Sequence, residues 1–301
     1  MTATRLPRLL FALLGVAALA STGRTQPSFA PVDETDGNSL VHLSVVAEHE
    51  ALSPAQSTEI AVTFAVREGW HVYWRNPGDT GSQVRVNYEG PDWASIGELR
   101  WPVPERYTSP GDLLDYVLEG EVTLLASLRV DEASWIEAGR PETLDFTLEC
   151  EWFVCKEICL LGEGTGKLSI PVRSSGDVPL AKRHAKRFQV ARSKLPTARQ
   201  DVKAGTYSAS FEAGVLTLAV PEASRLTFFP APSEVLALPV DALGEAQKQG
   251  NRLVIRYRDA ASSVDHLDGV LVIEKGQKDQ PGYTRRAVEI RVPVTVNSST
   301  E

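Results

Sequence analysis

From residue 41 onward, apolar and polar side chains alternate with a period of two, and turn-forming clusters interrupt the pattern at the spacing of about 8–12 residues typical of a β-sandwich. Val41, Leu43, Val45 and Ala47 share one phase, and Ile60, Val62 and Phe64 resume it after a Ser-Pro break. A side chain in a strand faces the opposite way from its neighbours, so this alternation describes sheets with one buried face. The block Trp70-His71-Val72-Tyr73-Trp74 runs into Asn76-Pro77-Gly78-Asp79, a strong turn signal. Strands follow at 84–88, at 117–130 with a turn over 119–121, at 144–148 leading into Cys150, and at 168–172. Trp101-Pro102-Val103-Pro104 is extended but poor in ladder donors. No helical period intervenes, which argues against a parallel α/β sheet.

The six tryptophans all lie between Trp70 and Trp152. After them, residues 176–200 are basic, with Leu180, Ala181, His184, Phe188, Val190 and Ala191 at near-helical spacing, and read as a solvated helical linker. Alternation then resumes at 207–211, 215–220, 226–229, 253–257, 269–274 and 287–296, with turns at 212–214, 249–251 and 280–282. The expected fold is therefore all-β: an antiparallel sandwich over 39–175, a helical linker over 176–200, and a second sandwich over 201–298. The second has neither cysteine nor tryptophan, and a supporting or partner-binding role is its default.

The N-terminus has the form of a secretory signal. Arg5 and Arg8 precede an apolar run over 9–20 that is too short to span a bilayer, and Ala18-Leu19-Ala20 offers a cleavage site. Residues 21–38, polar and containing Gly, Pro and Asp, read as a disordered lead-in. Export to a periplasmic or extracellular space places the cysteines where disulfides form. The formal net charge of −8 argues against nucleic acid as a partner, since phosphate binding needs a basic face. The single methionine, at position 1, excludes a Met-rich copper or peptide surface.

All the cysteine chemistry is packed into Cys150-Glu151-Trp152-Phe153-Val154-Cys155-Lys156-Glu157-Ile158-Cys159. A disulfide needs Cα atoms about 4.4–6.8 Å apart, whereas an extended chain would hold Cys155 and Cys159 about 13 Å apart. Pairing them requires a turn at 156–158. Closing so short a loop restrains the unfolded chain by only roughly 2 kcal/mol, so such a bridge suits chemistry better than stapling. Bridges from Cys150 to Cys155 or to Cys159, leaving one thiol free, stay open as alternatives. A copper or zinc site is a further rival, because thiolates suit both metals. His42, His49, His71, His184 and His266 are too scattered to complete one, and no metal or cofactor is expected.

Three blocks, residues 70–81, Trp101-Pro102-Val103-Pro104 and 150–159, resemble in content and order the N-terminal periplasmic domain of DsbD-type thiol:disulfide interchange proteins. The likeness is to the branch that includes the suppressor-of-copper-sensitivity reductases, and it covers roughly residues 40–172. Phe228-Phe229-Pro230 and the segment after it resemble the module that follows in that branch. The resemblance implies an immunoglobulin-like sandwich in which Cys155 and Cys159 form a redox pair. That pair would relay reducing equivalents to thioredoxin-like or other periplasmic thiol proteins. Members usually continue into a membrane-embedded electron-transfer domain and a thioredoxin-like domain. This sequence carries neither, so a separate membrane donor is expected. The three-residue spacing is narrower than in the best-known members.

Around the pair, Lys156 favours a thiolate while Glu151 and Glu157 oppose it. Trp70, Tyr73, Trp74, Trp101, Tyr107, Tyr116 and Trp152 read mainly as core, with His71, Tyr73, Trp74 and Trp152 as candidates for a rim over the cysteines. Asp79 and Glu105 are carboxylates that can assist proton transfer, though solvated turn positions suit them better. Gly162-Glu163-Gly164-Thr165-Gly166-Lys167 misses the phosphate-loop pattern at Leu161 and Leu168, and reads as a hairpin turn. No nucleophile-elbow pattern supports Ser-His-Asp catalysis. The rival to redox exchange is a non-catalytic binding or copper-handling module with structural cysteines.

Overall fold

A computed structural model describes residues 35–109, 111, 113–174, 181–212, 214–232, 250–257 and 265–295. The chain divides into two units, Met1–Val32 and Asp33–Glu301, and every described residue belongs to the second. The expected export signal over 1–20 and most of the expected lead-in over 21–38 lie outside the described residues. Among the described residues no helix is long and apolar enough to cross a membrane.

Ten strands form the first block: β1 (Val41–Ala47), β2 (Thr58–Val66), β3 (His71–Gly78), β4 (Arg85–Glu89), β5 (Ala94–Ile96), β6 (Glu105–Ser109), β7 (Leu113–Glu119), β8 (Glu121–Val130), β9 (Thr143–Cys155) and β10 (Cys159–Pro171). They make two antiparallel sheets, one ordered β1-β2-β8-β5 and the other β10-β9-β3-β7-β6 with β4 also on β9. Phe64 from the first sheet meets Trp152 from the second edge-on, with centroids 5.6 Å apart, inside the sandwich. Proline explains where pairing stops. β6 begins only after Pro102 and Pro104, which have no N–H to give to a ladder.

The all-β reading holds, and the described residues add two α-helices to it. The single-turn α1 (Glu132–Glu137) is capped by Asp131, whose carboxylate accepts the Ser134 N–H at 2.9 Å. Six residues are too few to show a helical period. The second, α2 (Ala185–Ser193), is not the solvated linker expected from its charge. Its Phe188 and Ala191 are buried against Ala61 and Leu125 on the outer face of the first sheet, which is why β2 and β8 carry apolar residues in both phases. Arg192 clamps the helix in place, bonding Glu59 and reaching Glu48 at 2.5 Å. Lys182 adds a bond to Glu48 at 3.0 Å. Burial pushes the Glu48 carboxyl up, but Arg192 and Lys182 outweigh it and hold it below the usual range.

The glycine run at 162–166 is not a turn. It lies inside β10, paired without interruption to β9 from Cys159↔Cys155 to Pro171↔Thr143. Gly162, Gly164 and Gly166 occupy one face, where a Cβ would strike the Trp152 ring, Leu43 or Val45. The glycines let a tryptophan and the β1 side chains lie flat on the strand. The end of the supposed lead-in docks here too: Gly37 accepts the Trp152 indole N–H at 3.4 Å, and Asn38 Oδ1 accepts the Glu163 N–H at 2.7 Å.

The second block contains β11 (Ser208–Glu212), β12 (Val215–Ala219), β13 (Arg225–Pro230), β14 (Arg252–Arg256), β15 (His266–Lys275) and β16 (Thr284–Thr295). Their order is β13-β15-β16-β11-β12-β14, antiparallel throughout except for β11 with β16. The end strands β13 and β14 come into contact, so the sheet folds back on itself. Phe229 of β13 inserts between Trp74 and Tyr116 of the first block, with ring centroids 6.2 and 5.4 Å away. The Arg106 guanidinium donates to the Phe228 carbonyl at 3.1 Å, and the Asn76 amide to that of Pro230 at 3.0 Å.

Candidate functional site

Strand β9 ends at Cys155 and β10 starts at Cys159, so the two cysteines close a hairpin whose loop is Lys156-Glu157-Ile158. The Lys156 N–H donates to the Ile158 carbonyl at 3.1 Å, bringing the cysteine Cα atoms to 4.2 Å, and the sulfurs are bonded. The third cysteine takes no part. Five residues of extended strand put Cys150 about 17 Å from Cys155, and strand alternation turns it to the opposite face, into the core beside Trp152. It is a free, buried thiol, and burial pushes its pKa up to about 12.

The disulfide lies on the outer face of the second sheet and is asymmetric. Cys155 is 2 % exposed, packed with Tyr73 and Val117 and flanked by Tyr107 and Phe153, whereas Cys159 is open to solvent. Pairing places Cys159, Cys155, His71 and Glu119 in one row across four strands. The Tyr73 hydroxyl reaches Cys159 Sγ at 3.6 Å and Thr80 Oγ1 at 3.4 Å. Thr80 in turn donates its N–H at 2.8 Å and its hydroxyl at 2.7 Å to Asp115, and Ser109 donates to the same carboxylate at 3.0 Å. Asp115 is fully buried, and these three donors make that tenable. Gly81 explains the turn after the aromatic block: its φ of +68° suits glycine, and a Cβ there would sit 2.2 Å from the Tyr73 ring.

Residues 42–169 match the family model of the N-terminal domain of the thiol:disulfide interchange protein DsbD. Over those residues the first sandwich is similar to a DsbD-type N-terminal domain. A solved structure of the N-terminal periplasmic domain of ScsB from Proteus mirabilis aligns over 83 % of this chain and 92 % of its own length, with a TM-score of 0.55 at 18 % identity. Likeness at that identity speaks for the fold, and its extent carries it past the first sandwich into the second block. The reduced N-terminal domain of DsbD from Neisseria meningitidis aligns over 44 % of this chain and 85 % of its own, with a TM-score of 0.28 at 12 % identity, too low to add weight. No curated protein matches the sequence.

Of the four residues expected as a rim over the cysteines, His71 and Tyr73 lie on the disulfide's face. His71 sits between the Tyr73 and Tyr107 rings, with centroids at 5.5 and 4.6 Å. Burial lowers its pKa, and the Asp115 charge only partly opposes this. Trp74 and Trp152 are elsewhere, for one reason: each precedes or follows an outward residue in a strand and must point the other way. Trp74 packs on Phe229 and Trp152 on Phe64. Asp79 locks its turn by accepting the Leu114 N–H at 2.7 Å, and Glu105 pairs with Arg285 at 2.9 Å. Lys156 and Glu157 are exposed in the hairpin loop, and Glu151 lies 3.7 Å from Arg85. His49 bonds Thr58, and His266 sits against Asp265 and Asp268 in the second block. Sequence reasoning missed Thr80, Ser109, Asp115, Val117 and Phe153. Asp115 alone left a signal, a lone carboxylate inside the apolar run 113–118.

Proposed function

We propose that this is an exported thiol:disulfide interchange protein that passes reducing equivalents to periplasmic thiol proteins through Cys155 and Cys159. The observation that carries the reading is the asymmetry of the pair: one sulfur is presented to solvent and its partner is buried directly beneath, at the tip of a hairpin that thirteen register pairs hold in place. In the reduced protein the Cys159 thiolate, with the Tyr73 hydroxyl as donor, attacks a partner disulfide. One partner sulfur leaves as a thiolate and a mixed disulfide forms. Cys155 then attacks Cys159 Sγ, the second partner sulfur leaves, and the observed bond closes. Two electrons pass to the partner. A separate thiol donor, membrane-bound in this reading, restores the pair.

The first sandwich carries this chemistry and the second braces it. Ile158 at 56 % exposure and Leu161 at 63 % border Cys159, an apolar margin suited to a protein partner. Periplasmic location is supported by the export-type N-terminus and by the family. The copper-handling alternative gains little, because Cys150 faces away from the other two sulfurs. Trapping tests the proposal. Cys155→Ser, which leaves Cys159 unable to be resolved, should capture partners as mixed disulfides, and Cys159→Ser should capture few. If neither variant captures a partner, or the pair has a potential below about −300 mV as structural disulfides do, the relay reading fails.

A further inference from the structure

Beside the disulfide, a cleft of about 520 Å³ opens where the first sandwich, the segment after α2 and strand β16 meet. That volume falls within the range of about 300–1,000 Å³ usual for ligand sites. Val117 lines it and also packs against Cys155, so cleft and disulfide share a wall.

Two strand edges face this space. On β7, pairing with β6 ends at Val117↔Glu105, and among the described residues nothing pairs with Leu118 and Glu119 on that side. On β16, Thr197 bonds the Ala287 carbonyl and the Glu289 N–H at 2.9 Å each, and β11 joins only at Val294. Arg285, two residues before Ala287, therefore turns its backbone N–H and carbonyl to the same side, where no described strand meets them. Unpaired strand edges are templates for another extended chain. The charged groups do not select one sign of ligand: Glu105, Glu119 and Glu121 stand on one wall, Lys194, Arg285 and Arg286 on the other. Arg285 is already paired with Glu105, and the Lys194 ammonium donates to the Glu121 carbonyl at 3.0 Å. Such a surface suits main chain better than an anion or a cation.

The register fixes the reach. Glu119 stands in the row Cys159–Cys155–His71–Glu119, on the disulfide's face. At about 4.8 Å per strand it is ~10 Å from Cys155 and ~14 Å from Cys159. About four residues of extended chain span that gap.

We propose that the cleft is a docking groove for an extended peptide segment adjoining the partner's reactive cysteine. The substrates would then be polypeptides with an unfolded or flexible stretch about four residues from the sulfur. The proposal rests on the redox reading above. As a probe, a cysteine carrying a ten-residue Val/Thr-rich tail is supplied as its mixed disulfide with nitrothiobenzoate, beside the same cysteine without the tail. Reduced protein attacks the peptide sulfur, coloured nitrothiobenzoate leaves, and Cys155 resolves the adduct. The tailed peptide should react about tenfold faster and saturate, since docking raises the effective concentration of its cysteine.

Filling the groove by Ala287→Trp, or by Ser193→Trp at an exposed lining position, should abolish the advantage. Reaction with the untailed cysteine should stay unchanged, which also reports that each variant is folded. Equal rates for the two peptides, or an advantage that survives in a folded groove-filling variant, would overturn the groove and point to recognition of folded partners by the apolar margin. Failure of the wild-type protein to react with either peptide would instead sink the redox reading itself.

Discussion

Tyr73 holds its hydroxyl between Cys159 and the Thr80–Asp115 pair, so the outer sulfur meets a donor whose other neighbours are fixed. Hydrogen bonds to charged groups contribute about 1.5–3 kcal/mol, less where solvent competes. Tyr73→Phe should therefore slow alkylation of Cys159 by iodoacetamide, in a Cys155→Ser background, by about five- to tenfold at neutral pH. An unchanged rate would leave the tyrosine a packing role only. His71, lowered by burial, gives a second check at this scale, and His49 is lowered for the same reason. Below the ordinary value of 6.5 the unfolded chain binds protons that these buried rings still refuse. Stability is then lost as pH falls through that value. The urea midpoint should drop between about pH 7 and pH 5, and His71→Phe, if it folds, should flatten part of the slope.

Strands such as β9 and β12 were legible because the period of two survives in them, whereas the short β5 and β6 left too little of it to read. What the period could not show was what covers the far side. β2 and β8 carry apolar residues in both phases because α2 lies on their outer face, a contact between residues 61 and 188 that no local pattern announces. The glycine run in β10 looked like a turn because its purpose sits across the sheet, in the bulk of Trp152, Leu43 and Val45. Gly162→Ala would set a methyl group 2.3 Å from the Trp152 indole nitrogen. It should cost about 1–3 kcal/mol, read as a lower urea midpoint, and a neutral result would mean that the strand shifts freely. The site divides along the same line. Cys155 and Cys159 are neighbours in sequence and could be read. Asp115 reaches Thr80 only through the pairing of β3 with β7, and Trp74 was misplaced because the residue after Tyr73 in a strand must turn inward.

At the scale of the whole molecule, the apolar part of the junction between the two blocks centres on one aromatic side chain set between two others, with the Arg106, Asn76 and Glu105–Arg285 bonds around it. Phe229 lies against Trp74 and Tyr116, on the back of the strands that carry Tyr73 and Asp115 in front. Replacing it with alanine should cost about 3–5 kcal/mol and split unfolding into two steps, followed by calorimetry and limited proteolysis. A single transition close to that of the native protein would mean that the blocks are held together by other contacts.

The hairpin has one last implication. Its bond bridges only the last register pair of a ladder that continues far beyond it, so opening the bond frees a three-residue cap and no more. Oxidation state and architecture are thereby uncoupled: the strands are the handle, the sulfurs the replaceable edge. In the relay proposed above, a protein made this way would be charged and discharged through many turnovers while its partners meet the same shape each time.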